Sequence, residues 1–410
     1  MPDQTAVTTI APINLRFTIW SANSVHLDLL NEVAEAYYEN HPEVTIQFDI
    51  IPPGDYAEKV SVQLAGENPP DLGWIREDSA LAFIATDSLE NLRPTLVNYP
   101  GYNLADFSPS SLELWSQGDA LYAIPFSTSP YFILYNKDLF QIAGVPAPDS
   151  FVAANNWTWK TVAEIASQIA KATPPEIYGF EGKDGAVYTD RAWQTLIPII
   201  WAYGGDAWNS DGTECLLDSD AAITAVTLYH DMVFKDHSAV PPGVNGDFYS
   251  GLSAMTISQL SRSARLEDAG FDMAIAPLPG GPGQKEPMAI GQAGVSVFNA
   301  GFHRGIAADF VAFMTNQNNS EKLAIYFPPA RLTVLASPEF LEANPLLDSP
   351  GARALIATAI NTGSVLPSHP NFPVIDLATR DQFQALWEPD ADISAVMENI
   401  CQSITPLLSR

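Results

Sequence analysis

LRFTIWSANSVHLDLLNEVAEAYYENHPEVTIQFDI, residues 15–50, decides the fold class. Leu15, Phe17 and Ile19 alternate with Arg16 and Thr18 and run into Trp20, the period of a strand. Leu27, Leu30, Val33, Ala34 and Tyr37 then keep helical spacing until His41-Pro42 stops it. Val44, Ile46, Phe48 and Ile50 alternate again. Tyr56, Val60 and Leu64 make a second helical stripe, and Asp71 to Ile75 a third strand. A β-α-β-α-β order implies a parallel sheet with right-handed crossovers. Ligands of such sheets sit beyond the carboxyl ends of the strands. Here those ends are the loops Ser21–Val25 and Trp74–Asp78.

Outward from that unit, LYAIPFSTSPYFILYNKDLFQIAG (121–144) reads as a strand entering a polar lip at Ser127-Thr128-Ser129. An aromatic strand, Tyr131–Tyr135, leaves the lip, and Asn136 or Asp138 caps a helix ending at Gly144. Further on, Val162, Ile165, Ala166 and Ile169 form a helix stripe. Trp193–Tyr203 is apolar nearly all round, hence a buried helix with a possible kink at Pro198. Ala221–Phe234 is another helix, and Ile275–Pro279 a short return strand before a Gly/Pro-rich loop through Gly283.

With 410 residues, two cores are expected. A net charge of −29, from 19 Lys plus Arg against 48 Asp plus Glu, argues against nucleic acid and anionic membranes, which need a cationic face. No apolar run approaches the ~18 residues of a membrane span. Cys215 and Cys401 cannot build a structural zinc site; they form either one disulfide or two isolated thiols. Six scattered histidines show no HExxH spacing, and no GxSxG elbow or P-loop occurs, so no metal, cofactor or catalytic residue is expected. Asn209–Glu214 faintly matches half a calcium loop, but a turn built on Asp211-Gly212 explains it better.

Seven pieces in order carry a family resemblance from about Leu15 to Ile404. They are PPDLGWIRED (69–78), YAIPFSTSPYFILYNKDLF (122–140), WAYGGDAWNSDG (201–212), FYSGLSAMTISQLS (248–261), AIAPLPGGPG (274–283), MAIGQAGVSVF (288–298) and FPPARLTVLASPEF (327–340). In these the chain resembles the family 1 extracellular solute-binding proteins, the maltose-binding-protein-like sugar receptors of ABC importers. The resemblance implies an α/β, type II-like two-lobe periplasmic-binding-protein fold, each lobe a mixed, mainly parallel sheet flanked by helices. It implies an amino-terminal lobe of 12–122 plus 277–325 and a carboxyl-terminal lobe of 125–273 plus 330–410. Hinge segments would fall near 123–125, 274–279 and 317–330. Residues 1–11 would be a flexible leader after a removed targeting segment, in a monomer working in the periplasm or at the cell surface.

The expected function is capture of a neutral mono- or oligosaccharide between the lobes and its delivery to the permease of an ABC transporter. Sugar rings stack on aromatic faces while their hydroxyls need polar partners. Trp20 and Trp74 qualify as strand ends at the cleft edge, and Trp193 as the opening of the buried helix. Trp115, Trp157, Trp159, Trp201, Trp208 and Trp387 are expected to be structural. Ser127 and Thr128 are polar contacts or a simple turn; Asn23, Glu77, Ser258, Gln259, Gln292 and Arg331 complete the expected ligand-binding set. Sugar receptors for maltodextrins tend to carry an aromatic platform near position 261, where this chain has Ser261, which argues against a long starch-type ligand. Two rivals stand beside this reading. One is a same-fold receptor for an anionic solute such as a glycerol phosphate ester, served by Arg76, Arg191, Arg262 or Arg331. The other is a two-lobe glycoside hydrolase or lyase.

Overall fold

The computed structural model describes residues 11–182, 192–266, 269–282 and 287–408. Leader residues 1–10, Arg191 and Gly283 lie outside the described residues. Strands β1 (Ile13–Ile19), β2 (Val44–Ile50) and β3 (Leu72–Arg76) are parallel, with Ile13 opposite Val44 and Phe17 between Phe48 and Leu72. Helix α1 (Ser24–Tyr38) buries Leu30, Val33 and Tyr37 of the expected stripe and Leu29 beside them, with Leu27 and Ala34 partly buried. The Asn23 carboxamide oxygen accepts from the Val25 N–H at 3.0 Å and caps its first turn. Helix α2 (Tyr56–Leu64) follows β2, and α3 (Glu77–Ala85) starts directly at the end of β3.

Two long strands carry the chain from one core to the other. The first is β4 (Ile124–Asn136), buried along its whole length and running into α4 (Lys137–Ala143). Its second half pairs antiparallel with β5 (Met255–Gln259) and β6 (Met273–Ala276). The second long strand, β7 (Ala289–Val297), lies antiparallel between β3 and the first half of β4. The sheet therefore reads β2-β1-β3-β7-β4-β5 without a break. Parallel bridges from Tyr178 to Ser253 and from Glu181 to Thr256 extend it beyond β5.

Side-chain packing divides around this sheet. One core gathers Leu15, Phe17, Val33, Trp74 and Val295 with α8 (Arg304–Met314). A second gathers Ile133, Tyr135 and Ile257 with three helices: α5 (Trp159–Ala172), α6 (Ala192–Ala202) and α7 (Asp220–Phe234). Phe132 and Leu134, on the opposite face of the same strand, enter a third cluster with Phe248 and with Ile356 of α9 (Pro350–Thr362). Packing changes core between Phe126 and Tyr131, between Ala289 and Ala293, and between Leu323 and Val334. At the expected passage near Pro277, Ala276 lies in the second core. Leu278 lies in the second core, and Gly280 exchanges backbone hydrogen bonds with Trp157 and Trp159.

Helix α6 is buried all round with Pro198 inside it. Cys215 and Cys401 are paired with a Cα–Cα distance of 5.4 Å, fastening the segment before α7 to α11 (Ile393–Leu408), which follows α10 (Phe372–Gln384). The Asn209 segment is a turn: its side-chain oxygen accepts from the N–H groups of Thr213 and Glu214, and Gly212 has φ of 68°. Among the described residues no helix is long and apolar enough to cross a membrane.

Candidate functional site

A cavity of about 380 Å³ opens where β1 and β3 end, within the ~300–1,000 Å³ of small-molecule sites. Trp20 follows β1 and Trp74, Arg76 and Glu77 close β3, so the strand-end rule finds this wall. Phe126, Ser127, Ser129 and Tyr131 of β4 and Gly291, Gln292 and Ala293 of β7 form the floor. Gln194 of α6, Gln259 at the end of β5 and the following Ser261, Arg262 and Arg265 face them from the side of the second and third clusters. The cavity thus has walls from both packing units.

Its aromatic side is layered. Trp74 stacks on Phe126 at 4.9 Å and 27° and meets the edge of Phe327 at 5.7 Å. Trp20 crosses Trp74 at 5.0 Å and 66°. Trp74 is only 1% exposed, whereas Trp20 is half-buried, so Trp20 offers the ring surface and Trp74 backs it. The expectation that Trp74 serves as an open platform is corrected by this packing.

Polar groups on the floor hold one another. Behind the floor, on the Thr128 face, the Gln292 carboxamide accepts from Trp115 Nε1 at 3.1 Å and donates to the Ser111 carbonyl at 3.2 Å. Gln259 Nε2 donates to the Ser129 carbonyl, and the Ser261 N–H donates to Ser129 Oγ. Gly291 makes room for this, because a Cβ there would collide with the Gln259 carboxamide. Glu77 is buried, and that burial, with Asp78 beside it, pushes its carboxyl up to about 7. Arg76 pairs with Asp78 at 2.7 Å, and Arg265 pairs with Asp247 at 2.9 Å while lying over the Tyr249 ring. The His26 ring, between Tyr326 and Phe327, shares a hydrogen bond with Ser21 Oγ through Nδ1. Burial, helped by Arg262, lowers its pKa to about 4, so it is neutral.

Of the expected ligand set, Trp20, Asn23, Trp74, Glu77, Ser127, Gln259 and Gln292 meet at this cavity. Thr128, Ser258, Trp193 and Arg331 do not. Thr128 points to the opposite face of β4 from Ser127 and Ser129, as strand alternation requires, and is fully buried. Ser258, opposite Phe132 in the pairing, bonds Tyr249 on the third-cluster face of β5. Trp193 packs on Phe372 and Phe383 of α10 and donates to Asp376, and its neighbour Gln194 lines the cavity instead. Arg331 is 1% exposed between Tyr102 and Phe107, bonding Asp106 and the carbonyls of Asn103 and Thr315. Sequence reading missed His26, Gln194, Arg265, Phe126, Tyr131 and Phe327. Gln194 had a signal, an amide within an otherwise apolar helix. Among the described residues no group of three His, Cys, Asp or Glu side chains is set to hold a metal ion.

A continuous sheet with two cores and a cavity walled by both is the architecture of a two-lobe solute receptor. A family profile for the bacterial extracellular solute-binding protein matches residues 23–319, and the chain belongs to that family. A binding protein of Brucella abortus (strain 2308) is 26% identical over 282 residues, 65% of this chain and 64% of that protein. The chain thus spans about two thirds of the length of this relative. The maltotriose-binding protein of Pyrococcus abyssi is 24% identical over 394 residues, 92% of this chain and 79% of the relative. Among solved structures, the ABC substrate-binding protein from Listeria monocytogenes in complex with cycloalternan superposes with a TM-score of 0.83. It covers 97% of this chain and 99% of its own at 20% identity, a likeness of fold.

Proposed function

We propose that the protein captures a neutral mono- or short oligosaccharide outside the cytoplasm, as a monomer, and presents it to the permease of an ABC importer. The observation that carries this reading is the cavity at the ends of β1 and β3, with an aromatic side at Trp20 and amides and hydroxyls facing it. Such a mixture suits the apolar ring face and hydroxyl rim of a sugar. The relative named for maltotriose and the superposed structure bound to cycloalternan support a carbohydrate. The lobes close about the three passages where packing changes core, a population shift toward the state in which both walls touch solute.

An anionic solute is the second reading, favoured by Arg76, Arg262 and Arg265 on the wall. The carboxylate partners of Arg76 and Arg265 weigh against it. A glycoside hydrolase needs two carboxylates flanking the bond, whereas Glu77 alone supplies one among the described lining residues. A thermal-shift screen over neutral sugars, sugar acids and glycerol phosphate esters decides between them, since ligand at a hundred times Kd stabilises by about 2.7 kcal/mol. Stabilisation by a neutral sugar that persists at high salt is expected. A response confined to the anions, or turnover of chromogenic glycosides, contradicts the reading.

A further inference from the structure

Three residues on the cavity wall each bury a polar atom that has no hydrogen-bond partner among the described residues. They are Trp74 through Nε1, Gln194 through Oε1 and His26 through Nε2. Trp74 and Gln194 are 1% and 9% exposed. The three come from β3, α6 and the first turn of α1, so both cores contribute. An unmade hydrogen bond in a buried group costs ~1–3 kcal/mol, and native interiors hold few of them. Three around one cavity is an arrangement that a bound molecule would satisfy.

We propose that these three atoms read the hydroxyl pattern of the solute and select a neutral polyol over an anion. The proposal rests on the carbohydrate reading and deepens it. An indole N–H only donates, so Trp74 calls for an oxygen with a free lone pair. A carboxamide oxygen only accepts, so Gln194 calls for an O–H. The His26 ring is neutral, and its Nδ1 is held by Ser21 Oγ. Its Nε2 takes whichever role the tautomer leaves, and a hydroxyl serves either. Sugar hydroxyls donate and accept at once and match all three. A carboxylate or phosphate satisfies Trp74 but turns lone pairs on the Gln194 oxygen, where nothing donates.

The test uses the full chain and the tightest binder among glucose, galactose, lactose, maltose, maltotriose and arabinobiose. Gln194→Met keeps the side-chain length and removes the acceptor. Its ligand-free thermal midpoint should stay level or rise, while sugar affinity by calorimetry falls at least tenfold. In ¹⁵N-labelled parent protein, the Trp74 indole N–H resonance should move when sugar is added. A falling ligand-free midpoint with unchanged affinity overturns the proposal, because the Gln194 oxygen then has a structural partner. If the parent binds none of the sugars, the carbohydrate reading fails; binding of a neutral alditol such as ribitol that Gln194→Met weakens at least tenfold then still upholds the proposal, whereas binding of glycerol 3-phosphate in its place overturns it.

Discussion

Glu77 Oε2 accepts a hydrogen bond from the Gln292 backbone N–H at 3.1 Å, tying the start of α3 to β7 at the cavity wall. The bond couples a titratable group to the strand that passes between the two cores. It also makes the wall sensitive to pH, because burial and Asp78 raise the Glu77 carboxyl to about 7.

A raised carboxyl contributes stability that is present below the unfolded value, ~4.3 for Glu, and is lost as pH climbs toward about 7. His26 acts in the opposite sense: its folded value of about 4 is depressed, so stability is lost as pH falls from ~6.5 toward about 4. The parent's own slope mixes the two. Glu77→Gln should therefore remove only the loss on raising pH from 5 to 8. Chemical denaturation of both proteins at those two values checks this. Equal slopes would mean Glu77 titrates as an ordinary exposed acid.

Trp20 and Trp74 touch each other but should respond differently to truncation. Half-buried Trp20 offers ring surface to the solute, so Trp20→Ala should weaken sugar binding at least tenfold, a hot-spot cost of ~2 kcal/mol, with the fold intact. Trp74 fills the first core against Phe126, Phe17 and Phe327, so Trp74→Ala should destabilise by ~3–5 kcal/mol. Calorimetry together with urea melts separates the two outcomes.

Arg331 is predicted to be structural. Its guanidinium lies 3.3 Å from Asp106, both buried, and Asp106 also accepts from the Thr333 hydroxyl and N–H. Arg331→Met leaves the Asp106 charge without its cation, at a cost of ~3–5 kcal/mol. Denaturation should register that loss, while the affinity of the remaining folded protein for sugar stays within twofold.

Much of the amino-terminal half was legible because alternation and helical stripes are local signals: Leu15 to Ile19 and Leu27 to Tyr37 lie where their periods put them. The strand-end rule brings Trp20, Trp74 and Glu77 to one cavity for the same reason. Ser258 and Thr128 lie off the cavity for a reason one level up. On a strand, neighbours face opposite sides, and only the pairing register tells which side is the cavity. His26 and Phe327 meet through long-range packing that no spacing along the chain encodes. The Cys215–Cys401 pairing spans 186 positions, and composition left it as one of two alternatives.

Closure of two lobes on a sugar is the central claim, and small-angle X-ray scattering tests it most directly. The radius of gyration of the full chain should fall when the sugar that stabilises it most is added, and stay constant with a sugar that does not bind. A protein saturated with sugar whose scattering curve is unchanged would contradict the account.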